Sequence, residues 1–95
     1  MIEKQIHVKV TATGIVKELA CDRLALPGRS SVLDCLNRIL LLKANPKLRK
    51  LVFDPETNGV SSSLGILLNG CAIDKVDTEL EDGNELVLFI VVCGG

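Results

Sequence analysis

The sequence predicts an α+β domain, a mixed sheet of four to five strands crossed by one main helix. Three observations carry this. Ile6-His7-Val8-Lys9-Val10-Thr11 alternates apolar with polar, the period of a strand with one buried face. One apolar stripe at helical spacing, Val32, Leu33, Leu36, Ile39 and Leu40, separates two strand-like segments from three later ones. The chain finishes in a run, Leu86-Val87-Leu88-Phe89-Ile90-Val91-Val92-Cys93, that is apolar at both strand parities. A hairpin, a crossing helix and returning strands make a sheet with its helix on one side. The first and last strands are the expected central, parallel neighbours, because a terminal strand is best secured inside a sheet.

In the first strand Ile6, Val8 and Val10 face inward, leaving His7 as a solvated surface histidine. A longish loop around Gly14 leads to a second strand, Asp22 to Leu26, ended by Pro27-Gly28. Ser31 is placed to cap a helix, with Asp34 at the third position answering it and favouring the helix dipole. Lys43 ends the buried stripe and can extend its charge to water. Asn45-Pro46 stops that helix and starts a short second one, with Asn45 as N-cap and Pro46 at the first position. Lys47, Arg49 and Lys50 form a basic cluster there, either a solvated face or a contact for an acidic partner. Asp54 to Ser63 is rich in turn formers, poor in apolar residues, and expected to be a mobile loop. Leu64-Gly65-Ile66-Leu67-Leu68 is a strand, Asn69-Gly70 a two-residue hairpin turn, and Cys71-Ala72-Ile73 a short return. Leu80-Glu81-Asp82-Gly83 turns into the last strand, Glu85 to Val92. There Leu86, Leu88, Ile90 and Val92 point one way and Val87, Phe89 and Val91 the other. One helix covers only one face of a sheet. The second apolar face is therefore either covered by loops or left as a partner surface.

Ninety-five residues make one domain, 1–95, with enough length for a single core. The net charge of −1 and only two aromatics, Phe53 and Phe89, argue against nucleic acid as a partner: no basic sheet and no stacking platform are in view. No apolar run reaches the roughly 20 residues that span a bilayer. Met1-Ile2-Glu3-Lys4-Gln5 lacks the pattern of a signal peptide, so a cytoplasmic protein is expected. Cys21, Cys35, Cys71 and Cys93 are far apart, with no C-x-x-C pair for zinc and no clustered ligands for an iron–sulfur carrier. The first three are expected to be small buried or half-buried hydrophobes. Cys93, two residues from the end, is expected to be accessible.

The sequence ends on Gly94-Gly95, directly after the apolar run. Such a tail, 93–95, places an α-carboxylate on a tip without side chains, thin enough to enter a channel closed to other residues. With a reference pKa of about 3.3–3.7, that group is ionised at neutral pH.

Four segments then carry a family resemblance: Val16-Lys17-Glu18-Leu19-Ala20, Leu68-Asn69-Gly70, Leu80-Glu81-Asp82-Gly83-Asn84-Glu85-Leu86, and Phe89 and Val92 ahead of Gly94-Gly95. Taken in order over nearly the whole chain, they resemble the ubiquitin-like β-grasp sulfur carriers. The small subunit of molybdopterin synthase is most similar, with the thiamine sulfur carrier and ubiquitin-like small modifiers nearby. Ile90 and Val91 stand where the molybdopterin-type tail often has prolines, and Cys93 where it has a smaller residue. The resemblance implies a β-grasp fold and a carrier rather than an enzyme. Gly95 would be the site of adenylation and thiocarboxylation, with Gly94 beside it. Phe89, Val91, Val92 and Cys93 would meet the partner. It implies no cofactor on this chain; ATP and magnesium sit in an E1-like adenylating partner. A persulfide supplies sulfur, and the molybdopterin synthase large subunit is a second partner. Conjugation of Gly95 to target lysines, or a thiamine pathway, are the alternatives the same tail allows. A plain interaction domain with an incidental tail is a third reading. Cys93 could trap the activated Gly95 carbonyl or pair with a persulfide cysteine, or could be a small residue without consequence.

Overall fold

The last strand, apolar at both parities, is expected inside one sheet, with the alternating first strand as its parallel neighbour. The computed structural model, which describes residues 4–56, 59–73 and 75–91, has that arrangement. The strands are β1 (Gln5–Ala12), β2 (Cys21–Pro27), β3 (Leu64–Leu68), β4 (Cys71–Ala72) and β5 (Glu85–Ile90), in the spatial order β2-β1-β5-β3-β4. β1 and β5 run parallel, with Val10 opposite Leu86 and Ala12 opposite Leu88. The other neighbouring pairs are antiparallel, and the β1–β2 register shifts between Val8 and Val10.

Two helices, α1 (Val32–Lys43) and α2 (Pro46–Val52), belong to the covered side. Ser31 Oγ accepts from the Asp34 amide and Asp34 Oδ2 accepts from the Ser31 amide, the reciprocal cap that the sequence implies. α1 ends in a left-handed residue, Ala44, at φ 50°, a conformation that costs a residue with a β-carbon. Asn45 then caps α2 through its side chain on the Lys47 amide, with Pro46 leading the helix.

The core is aliphatic. Val8, Val10, Leu24 and Leu26 from the hairpin meet Val32, Leu36 and Ile39 of α1, and Leu86 and Leu88 of β5 are fully buried beneath them. Truncating one such leucine to alanine costs about 2–5 kcal/mol.

Several sequence expectations change. The loop after β1 contains a 3₁₀ helix, Gly14–Leu19, whose Val16 and Leu19 are fully buried; a spacing of three is too short to register as periodicity. The Asp54–Ser63 loop is tied down in its described part. Phe53 bridges Val60, the Asp54 amide donates to the Gly59 carbonyl, and Val60 packs on the core. His7 lies on the uncovered face but is half-buried, with its amide donating to Asp82 Oδ1 and its Nδ1 3.7 Å from the same oxygen. Cys35 is buried and Cys21 half-buried, as expected; Cys71 is exposed, because it sits on a two-residue edge strand. The last strand stops at Ile90 rather than Val92, although the Val91 amide still donates to the Ser63 carbonyl.

Candidate functional site

The site is built on β5, the strand that leads to the diglycine. Its alternation decides which residues reach a partner. Leu86 and Leu88 are buried under the helices, whereas Val87 and Phe89 are half-buried on the other face and Val91 is 43% exposed. Gly65 and Leu67 of β3 lie opposite Phe89 and Val87 on that face, Ala72 of β4 lies beyond Leu67, and Thr11 of β1 lies on the other side of Val87. Neither helix covers this surface, so the centre of the sheet presents a contiguous apolar strip to solvent.

Phe89 is half-buried there without a covering layer because of Gly65. A β-carbon at Gly65 would overlap the Phe89 ring, so the ring lies across the bare backbone of its cross-strand partner. The sequence reading singled out Phe89 but not Gly65. The signal was present, since an isolated glycine inside a strand pattern marks a close approach.

Ile15 was also missed. It is 64% exposed on the 3₁₀ helix and lines a shallow groove of about 240 Å³ with Thr13, Gly14, Phe89 and Ile90. The Thr13 amide donates to the Leu88 carbonyl and holds that segment against β5. Apolar surface thus surrounds the point at which the chain leaves β5. Of the residues the sequence assigned to the site, Phe89 and Val91 fall on this surface. Val92, Cys93, Gly94 and Gly95 lie outside the described residues.

The described residues contain no group of three metal-ligating side chains. The thiol with a resolved shift is Cys35, pushed up to about 12 by burial, with neighbouring Cys21 adding; it stays protonated and unreactive at neutral pH. No helix is long and apolar enough to cross a membrane.

The order β2-β1-β5-β3-β4 with a crossing helix defines the class: this is a ubiquitin-like β-grasp domain. Several solved structures are similar to it. SAMP1 of Haloferax volcanii, a small archaeal modifier protein, is 26% identical, with a TM-score of 0.72 over 94% of this chain and 99% of that one. A putative molybdopterin converting factor subunit 1 of Pyrococcus furiosus is 26% identical, with a TM-score of 0.65 over 92% and 99%. A third similar structure is a protein–protein complex of subunits 1 and 2 of the molybdopterin-converting factor of Helicobacter pylori, at 23% identity and a TM-score of 0.58 over 95% and 100%. No protein-family model and no curated protein matches the chain. Its structural neighbours are therefore members of the ubiquitin-like β-grasp sulfur-carrier and modifier group, small carrier proteins rather than enzymes.

Proposed function

We propose that this chain is a sulfur carrier whose C-terminal Gly95 is adenylated by a partner enzyme and converted to a thiocarboxylate for molybdopterin-type cofactor biosynthesis. The observation that carries the reading is a pair of terminal glycines following a central strand whose outer face is apolar and uncovered. The likeness to molybdopterin converting factor subunit 1 supports it. The cycle asks of this chain only an accessible carboxylate and a surface to be held by. A Gly95 oxygen attacks the α-phosphorus of ATP in an E1-like adenylating enzyme, which also holds magnesium, and pyrophosphate leaves. Hydrosulfide then attacks the acyl carbon of the adenylate, the bond to the AMP oxygen breaks, and a thiocarboxylate remains. A persulfide donor gives an acyl disulfide instead, which a second thiol cleaves to the same product. Sulfur passes to the acceptor bound by a second partner, for which the large subunit of a molybdopterin synthase is the candidate. The subunit complex from Helicobacter pylori supports docking of that kind.

Residues 92–95, fully extended, span at most about 14 Å. Gly94 and Gly95 make the far half of that reach thin, and Phe89 and Val91 are the part of the partner contact on described structure. Val92 and Cys93 continue it in sequence.

A second reading has its own support, since the small archaeal modifier matches with the higher TM-score of 0.72. In that reading a lysine amine of a target attacks the same adenylate and leaves an isopeptide bond. The thiamine pathway differs only in the sulfur acceptor. The deciding experiment incubates the chain with an E1-like adenylating enzyme, ATP, magnesium and a persulfide donor, and reads intact mass. Replacement of one terminal oxygen by sulfur supports the carrier, and covalent adducts to lysines of other proteins support the modifier. A chain left unaltered by its cognate activating enzyme refutes both.

A further inference from the structure

The basic residues are distributed unevenly. Five of the eleven, Arg38, Lys43, Lys47, Arg49 and Lys50, and none of the twelve acidic residues, fall between positions 35 and 53 of a chain whose net charge is −1. Among the described residues no ion pair involves Lys47, Arg49 or Lys50. Arg49 and Lys50 line a groove of about 550 Å³ between α1 and α2, more than twice the volume of the groove beside Ile15. Leu33, Phe53 and Pro55 supply its apolar lining, and Arg49 and Lys50 its charge. The Arg49 guanidinium lies 5.7 Å from the centre of the Phe53 ring, which holds it at the edge of the apolar lining. Asp54 is the one acid in the groove, and its carboxylate accepts from the Glu56 amide.

We propose that the α1–α2 groove is a docking site for an acidic linear segment of a partner protein, one that inserts a single large apolar side chain between its carboxylates. Charge complementarity selects the segment: two cations that form no ion pair among the described residues border an apolar recess large enough for one leucine or phenylalanine. A second copy of this chain fits less well. Its acids cluster between Asp77 and Glu85, but the apolar residues of that region, Val76 and Leu80, pack into its own core and leave nothing to fill the recess. Nucleic acid fits less well too, because Phe53 is the one ring among the described residues lining the groove, and a single ring gives no platform for successive bases. The groove lies with the helices and not on the uncovered sheet face, so it does not depend on the carrier reading. A segment held there leaves β5 free for a second protein.

The test uses the full ¹⁵N-labelled chain and the capped peptide Glu-Asp-Leu-Asp-Glu as probe. Saturable amide shifts are expected to gather at Leu33, Asn37, Arg49, Lys50 and Phe53. Serine in place of the peptide leucine should weaken binding by a factor of about ten to a hundred. The double variant Arg49→Glu with Lys50→Glu, checked for unchanged circular dichroism, should weaken it at least about tenfold, and added salt should weaken it further. The proposal is overturned if no saturable shift develops at millimolar peptide, or if the shifts map elsewhere. It is equally overturned if the serine peptide binds as well, if an oligothymidylate binds the groove more tightly than the acidic peptide, or if concentrating the protein alone produces the same shifts.

Discussion

The seat of Phe89 on Gly65 allows a test of how the uncovered sheet face is built that leaves the tail untouched. Complete burial of a phenylalanine side chain stabilises by about 1.5–3 kcal/mol. Phe89 is half-buried, so about half of that applies, and its cross-strand contact adds roughly 0.2–1 kcal/mol. Phe89→Ala should therefore cost about 1–2.5 kcal/mol. Gly65→Ala acts in two directions. Alanine restricts the unfolded chain and favours the strand by about 0.5–1 kcal/mol, but its methyl overlaps the Phe89 ring, and forcing the ring aside costs about 1–3 kcal/mol. Alone, Gly65→Ala should therefore destabilise by up to about 2.5 kcal/mol. In a Phe89→Ala background the overlap is gone, and the same substitution should be neutral or stabilising. The double variant should then be more stable than the sum of the single effects by about 1–3 kcal/mol, measured by urea unfolding of all four proteins. Equal effects of Gly65→Ala in both backgrounds, within about 0.5 kcal/mol, would refute the contact and with it the account of why an aromatic ring stays on an uncovered face.

Four further outcomes are expected. Gly95→Ala, or removal of Gly95, should leave the unfolding transition unchanged and abolish adenylate formation by the partner; full activation of either variant by intact-mass assay contradicts the proposed function. Cys35 should resist an alkylating reagent in the native state while exposed Cys71 reacts, read by mass spectrometry of digested protein. The same shift has a sign in stability: raised from 9.0 to about 12, the folded thiol keeps its proton while the unfolded one releases it, so the contribution of Cys35 is intact below pH 9 and falls by about 1.4 kcal/mol per unit between pH 9 and about 12, a contribution that Cys35→Ala should remove. Ala44→Gly should stabilise by roughly 0.5–1 kcal/mol, because Ala44 holds φ 50° at the end of α1, and a lower urea midpoint would contradict that reading.

What was legible in the sequence was local or repeated. The Ser31–Asp34 cap, the Asn45-Pro46 start and the Asn69-Gly70 turn each depend on residues within a few positions of one another, and all three form. The strands were legible because β1 alternates and β5 does not; the second pattern also pointed to a central position and an open apolar face. The remainder depended on pairing across long separations. His7 is half-buried because Asp82, 75 residues away, reaches its amide. Phe89 has a seat because β3 happens to place Gly65 opposite it, a register that no single segment encodes. Val60 packs inward because Phe53 bridges it, which a count of turn formers cannot reveal.

The placement of β5 bears on how a carrier of this shape would work. β5 is paired on one side with β1 and on the other with β3, and beyond its last paired residue the Val91 amide is still held by the Ser63 carbonyl. A partner gripping the outer face through Val87, Phe89 and Val91 therefore grips the strand that continues into the diglycine, with no hinge between surface and tail in the described residues. In the carrier proposed above, residues 92–95 span at most about 14 Å beyond the last anchored amide, so the adenylating site of its partner would lie within that distance of Val91. Lengthening that segment by inserting glycines between Val91 and Val92 would keep the carboxylate and the docking face but loosen the distance between them. Activation should then fall while binding of the partner does not. If activation instead persisted after several insertions, the enzyme would be capturing a free tail, and the rigid connection through β5 would have no part in the chemistry.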